Sequence, residues 1–208
     1  MSKGVDGELP TQVEPPLGDQ ANVAEAVDED QRRDEAGADE HAAGAFRIPD
    51  GYIVLEGAAR GNRRGVGVVV SRFNSEITSA MLQRALEELD RAGVARESVT
   101  VMPVPGAFEL PLAAMALAKT RRFACVVALG CVIRGETPHF DYVAGEAASG
   151  LQLAAIETGI PVSFGVLTCE TREQAQARIP RAGDAVTSAL EMADLFTRIR
   201  AHASPPGA

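Results

Sequence analysis

Val126 to Val143 reads VVALGCVIRGETPHFDYV. The segment begins as an apolar, β-branched run, passes through Gly130, Arg134, Gly135, Glu136 and Thr137, and delivers His139 immediately before a periodic, helix-like segment. Those properties in that order predict a strand, a polar loop and a helix start. In a parallel α/β sheet such a loop lies at the carboxyl end of its strand, where small ligands bind, and the first amides of the following helix favour an anion. Arg134, the glycine-flanked backbone and Thr137 can donate to a phosphate, and His139 can exchange protons near neutral pH. Phosphate chemistry coupled to proton transfer is the first expectation.

On either side of this segment the chain alternates between two periodicities. Val66 to Val70 leads into SRFN (Ser71 to Asn74), after which Ile77, Met81, Leu82, Ala85, Leu86 and Leu89 recur at helical spacing up to Gly93. Val99 to Val104 leads into PGAFELP (Pro105 to Pro111) and a helix through Leu110, Ala114 and Leu117. Phe123 to Val132 is the third strand, with its helix from about Phe140 to Thr158, and Pro161 to Leu167 is the fourth. Two helices follow, Arg172 to Arg178 and Ala185 to His202. This alternation predicts an α/β protein with a four-stranded parallel sheet covered on both faces, and right-handed crossovers make it a flavodoxin-like, doubly wound layer sandwich. Tyr52 to Leu55 is an additional short strand, bounded by Gly51 and Gly57, that must pair somewhere. SRFN, PGAFELP, IRGETPH and FGVLT (Phe164 to Thr168) then all lie at the carboxyl edge of the sheet and can converge on one ligand. The chain holds no GxGxxG or Walker-type loop, so a dinucleotide or ATP is not supported.

Charge divides the chain sharply. Residues 1–50 carry 13 acidic and 4 basic side chains, net −9, and the remaining 158 carry 16 of each. The chain is therefore read as an acidic N-terminal extension over 1–50, one domain over 51–203, and a flexible end over 204–208. Residues 1–45 are rich in Ala, Glu, Asp, Gly and Pro and hold little apolar surface to offset the entropy of ordering, which predicts disorder. A short helix over 21–36 is the alternative for part of them. A neutral body without a basic stripe predicts no nucleic-acid partner. No apolar run approaches the roughly 18 to 20 residues that span a bilayer, and the N-terminus lacks the apolar core of a signal peptide, so a cytoplasmic location away from membranes is expected. Cys125, Cys131 and Cys169 form no CxxC pair and suit a reducing compartment; Cys125 and Cys169 read as small buried apolar residues.

Four motifs in order, SRFN, PGAFELP, GCVIRGETPHFDYV and FGVLT, resemble those of the lumazine synthases, and the resemblance extends over roughly 51–201. It implies the condensation of 5-amino-6-(D-ribitylamino)uracil with 3,4-dihydroxy-2-butanone 4-phosphate to 6,7-dimethyl-8-ribityllumazine, the penultimate step of riboflavin biosynthesis, with no metal and no organic cofactor. The resemblance assigns proton transfer to His139, stacking on the pyrimidine to Phe73, and the pyrimidine and ribityl pocket to Asn74, Ala107, Phe108, Glu109 and Val132. Phe164 is implied as a contribution from the adjacent subunit. Gly135, Glu136 and Thr137 are implied to lie against the substrate phosphate and Arg178 to bind it, a task that suits the planar fork of arginine. The implied assembly is a pentamer, free or built into larger shells such as icosahedral capsids, with sites between adjacent subunits and with the Tyr52 to Leu55 strand added to a neighbour's sheet. A shell or scaffold protein of the same fold, with catalysis secondary or lost, is the alternative that the acidic extension raises.

The sequence departs from the family pattern at Ile179 to Gly183. A lysine usual in the family is missing there, and Arg181, one residue closer to Arg178, is the nearest basic side chain. Arg181 is left as a possible ligand in a segment read as the hinge between the last two helices.

Overall fold

The β-branched run Val66–Ser71 forms β1, one of the two inner strands of a sheet ordered β2–β1–β3–β4 and all parallel. The other strands are β2 (Val99–Val104), β3 (Cys125–Ile133) and β4 (Val162–Cys169). Val66 is in register with Val99 on one side and with Cys125 on the other, and Val126 is in register with Val162. The computed structural model describes residues 47–203, so the readings made for 1–45 and 204–208 lie outside the described residues. From Ile53 onward the chain forms one unit of dense internal contact, separate from the unit that ends at Tyr52.

Both faces of the sheet are covered, as near-continuous apolar strands require. Because side chains alternate along a strand, Val66, Val68 and Val70 of β1 join Val127 and Leu129 of β3 on one face. There they pack against α1 (Ser75–Arg91) and α5 (Arg181–Ala203), through Ile77, Met81 and Leu89 of the first and Leu190 of the second. Val69, Val126, Ala128 and Val166 point the other way, against Leu110, Ala114 and Leu117 of α2 (Leu110–Lys119) and Leu151 of α3 (His139–Thr158). Each large side chain buried in these two layers contributes about 1.5–3 kcal/mol of hydrophobic stabilisation. A short helix, α4 (Arg172–Ala177), links β4 to α5, its first turn capped by the Thr171 hydroxyl accepting from the Gln174 amide at 3.2 Å.

The expected α/β architecture and strand assignments stand, with shifts of one to a few residues at element ends. One difference is larger. α5 begins at Arg181 rather than Ala185, so most of the segment expected as a hinge is helical. Pro180, immediately before it, fixes a helical φ where no intrahelical N–H is needed. Gly183, in the first turn of the helix, leaves room for the Arg84 guanidinium, which a Cβ there would meet at 2.7 Å and push aside. Tyr52 to Leu55, expected as a strand, is irregular and has no ladder partner among the described residues, and Tyr52 and Ile53 are largely exposed. Among the described residues, no helix is long and apolar enough to cross a membrane.

Candidate active site

Three loops at the carboxyl edge of β1, β2 and β3 meet around a cavity of about 580 Å³. The β1 loop is bound to its neighbours by backbone contacts that continue past the strand: Arg72 N–H donates to the Val104 carbonyl at 2.8 Å and Phe73 N–H to that of Pro105 at 3.1 Å. This leaves the Phe73 ring 70% exposed on the cavity wall. Asn74 follows in the left-handed region at φ 56°, where asparagine is tolerated better than most residues. It is the N-cap residue of α1, and its Nδ2 donates to the Cys131 carbonyl at 2.9 Å, tying the end of β1 to the end of β3.

The β2 loop closes on itself. Gly106 N–H donates to Glu109 Oε2 at 2.9 Å, which turns Ala107 inward, Phe108 outward and the Glu109 carboxylate into the cavity lining. Among the described residues, nothing donates to the second carboxylate oxygen of Glu109, which is available to accept from a hydroxyl. From β3 come Val132, Gly135 and Thr137, then His139 as the first residue of α3, all lining the same cavity. α3 has no side-chain cap at Pro138, and while the Asp141 amide donates to the Pro138 carbonyl at 3.0 Å, the His139 and Phe140 amides are open to an anionic group. Among the described residues, no group of three or more His, Cys, Asp or Glu side chains comes together in a way that could hold a metal ion.

Phe73, Ala107, Phe108, Glu109, Val132, Gly135, Thr137 and His139 are thus brought together, and four other expected site residues are not. Asn74 stands behind the cavity, held by Cys131, and Glu136 is exposed beside it. Phe164, 47% exposed on β4, lines a different cavity of about 590 Å³ between α3 and α5, together with Arg181. Arg178 caps the end of α4, where its Nη1 donates to the Gln174 carbonyl at 3.1 Å and the rest of its guanidinium faces outward. Tyr142 and Val143 line the first cavity and escaped the sequence reading. Their signal was helical spacing, three and four residues beyond His139 on the same face.

Arg134 is engaged rather than open. Its guanidinium bonds to Asp141 and Glu170 and lies over the Phe140 ring, and those carboxylates, Asp141 first, hold its pKa above the ordinary value. Burial pushes the Cys131 thiol up to about 11, so it is protonated at neutral pH and not a nucleophile.

A doubly wound parallel sheet with aromatic rings, a carboxylate and a histidine lining one cavity at its carboxyl edge is the build of an α/β enzyme acting on small molecules. The family model described as 6,7-dimethyl-8-ribityllumazine synthase matches residues 64–197. A 6,7-dimethyl-8-ribityllumazine synthase of Syntrophus aciditrophicus (strain SB) is 47% identical over 154 residues, spanning 70% of this chain and 98% of that protein. The chain belongs to the 6,7-dimethyl-8-ribityllumazine synthase family, transferases of riboflavin biosynthesis.

Proposed function

We propose that the chain carries out the family's condensation at a site made of two half-sites from adjacent subunits. The observation that carries this reading is the single cavity shared by Phe73, Phe108, Glu109, Thr137 and His139, with Phe164 and Arg178 exposed elsewhere on the same chain. The first half-site stacks the pyrimidine on Phe73 and offers Glu109 to the ribityl hydroxyls. Gly135, Glu136, Thr137 and the leading amides of α3 receive the phosphate, which Arg178 of a neighbouring copy completes, and Phe164 of that copy closes the ring pocket. Val132, Ala107 and Phe108 supply apolar walls.

The 5-amino group of 5-amino-6-(D-ribitylamino)uracil attacks the ketone of 3,4-dihydroxy-2-butanone 4-phosphate and water leaves to form an imine. His139 then relays protons as the imine rearranges and inorganic phosphate is eliminated. Attack of the ribitylamino nitrogen on the remaining carbonyl closes the ring, with loss of a second water. Holding both substrates in one orientation supplies up to about 7–11 kcal/mol of the barrier reduction, and the positioned histidine adds a factor of about 10²–10⁴. The assembly is read as a pentamer or an assembly of pentamers, in the cytoplasm, with Tyr52 to Leu55 pairing against a neighbour's sheet edge. The scaffold alternative leaves His139, Glu109 and the paired rings without a role.

His139→Ala should lower turnover by a factor near the lower end of that range, because imine formation has a spontaneous rate, while leaving particle mass unchanged. Co-assembly then tests the shared site. Assayed with the phosphorylated substrate well below its wild-type KM, where both variants are slow, His139→Ala and Arg178→Ala chains refolded together at equal ratio should regain turnover toward about a quarter of wild type, because some sites then draw both intact halves from different chains. Turnover no higher than the mean of the two separate variants rejects the two-subunit site.

A further inference from the structure

Arg134 lies outside the cavity, yet it is the most fully bonded side chain around it. Its Nε donates to Glu170 Oε2 at 2.8 Å and to Oε1 at 3.1 Å. Nη2 faces Asp141 Oδ1 at 3.1 Å and Nη1 faces Asp141 Oδ2 at 3.3 Å. The guanidinium carbon lies 4.1 Å from the centre of the Phe140 ring, and the backbone N–H of the same residue donates to the Cys169 carbonyl at 2.9 Å. Both carboxylates and the ring belong to segments that carry proposed chemistry. Phe140 and Asp141 follow His139 in the first turn of α3. Glu170 precedes α4, and its amide donates to Gln174 Oε1 at 2.9 Å, the residue whose carbonyl accepts from Arg178.

The loop between these anchors has little else to hold it. Among the described residues, no hydrogen bond reaches Gly135, Glu136 or Thr137, and a Cβ added at Gly135 would meet nothing within 4 Å. Arg134 and its partners are exposed enough that the ion pairs add little to global stability. A bidentate fork gripped by two carboxylates and stacked on a ring does fix direction.

We propose that Arg134 is a positioning residue: it clamps the first turn of α3 to the β4–α4 junction, and so aims His139 and the phosphate loop. A displacement of about 1 Å at such a loop is enough to cost up to about 10²-fold in rate. All three nitrogens of the Arg134 guanidinium face protein carboxylates, which directs its action through His139 rather than onto the phosphate.

In the full-length protein, Arg134→Gln should lower kcat about 10-fold or more with the KM for the pyrimidine unchanged within about twofold, and with wild-type particle mass and Tm. Arg134→Lys should fall nearly as far, since an ammonium neither bridges two carboxylates in a plane nor stacks in the same way. Asp141→Asn and Glu170→Gln should each lower kcat, and Asp141→Asn added to Arg134→Gln should cost less than the two losses multiplied. The proposal is overturned by wild-type kcat in Arg134→Gln, by full rescue with lysine, or by losses that track Tm. It is equally overturned if Arg134→Gln raises only the KM for the phosphorylated substrate while Asp141→Asn and Glu170→Gln leave kcat unchanged, the pattern of a direct ligand. The inference rests on His139 as the proton-transfer group: wild-type turnover in His139→Ala removes that assignment, whereas normal Arg134→Gln beside an impaired His139→Ala removes the clamp alone.

Discussion

Arg178 and Arg134 are both arginines near the carboxyl edge, and their surroundings separate their roles. Arg134 is held by two carboxylates, whereas Arg178 makes one side-chain bond, to the Gln174 carbonyl, and presents its remaining donors outward. A phosphate ligand has to keep such donors free for the substrate. Arg178→Ala should therefore raise the KM for 3,4-dihydroxy-2-butanone 4-phosphate by about 10-fold or more, the scale of one lost charge-assisted bond of about 1.5–3 kcal/mol. The KM for the pyrimidine should move by less than about twofold. Steady-state kinetics with each substrate varied in turn decides it, and equal effects on both reject the assignment. At this scale the sequence reading named residues that share one cavity, but not each residue's geometry. The left-handed Asn74, which spends its amide on Cys131, and the engagement of Arg134 by Glu170 depend on contacts between residues 57 and 36 positions apart in the chain, which local pattern does not encode.

Among the elements, strands and helices were legible wherever one periodicity ran undisturbed. The β-branched runs of β1 and β3 and the four-residue spacing of Ile77, Met81, Ala85 and Leu89 on α1 are such cases. The start of α5 was not, because Ile179 to Gly183 reads as a hinge between two helices, while in the fold Pro180 precedes the helix and Gly183 lies within its first turn, beside Arg84. The attachment of α5 to the segment before β1 was also invisible in sequence. Asp194 on α5 accepts from the Ala58 amide at 3.1 Å, from Arg64 Nη2 at 2.7 Å and from Arg198 Nε at 2.8 Å. These partners, Arg198 foremost, hold its carboxyl below the ordinary value of 3.8. A carboxyl with a depressed folded pKa adds stability that is present above the unfolded value and is lost as the pH falls through the folded one. Asp194→Asn should thus lower Tm at pH 7 by about 2–4 °C, corresponding to about 1 kcal/mol for a chain of this size. The deficit should shrink as the pH is taken below 3.8. A deficit that stays constant down to pH 3 on thermal melts assigns the loss to packing rather than to the ionised carboxylate.

For the whole molecule, the parallel direction of the strands puts the loops after β1, β2 and β3 at one edge, so three of the four short motifs meet at the cavity, whereas FGVLT, expected at the same edge, lies within β4 and its Phe164 lines another cavity. A single chain does not bring Phe164 and Arg178 together with His139, and in the proposed two-subunit site a neighbouring copy supplies them. Charge is the other property of this scale. Residues 1–45 contain 12 acidic and 3 basic side chains and so hold the entire net charge of −9, while the family match begins at residue 64. Because the extension lies outside the matched region and carries few large apolar groups, its removal should leave turnover and particle mass essentially unchanged. What should change is colloidal behaviour. The shortened chain has 17 acidic and 17 basic residues, so its isoelectric point should rise from about 4.9 toward neutrality and its solubility near pH 7 should fall. Isoelectric focusing, light scattering and the condensation assay on the same shortened protein test the three parts separately. Dissociation to single subunits, or loss of turnover at unchanged fold, would make the extension an assembly element and return weight to the scaffold reading.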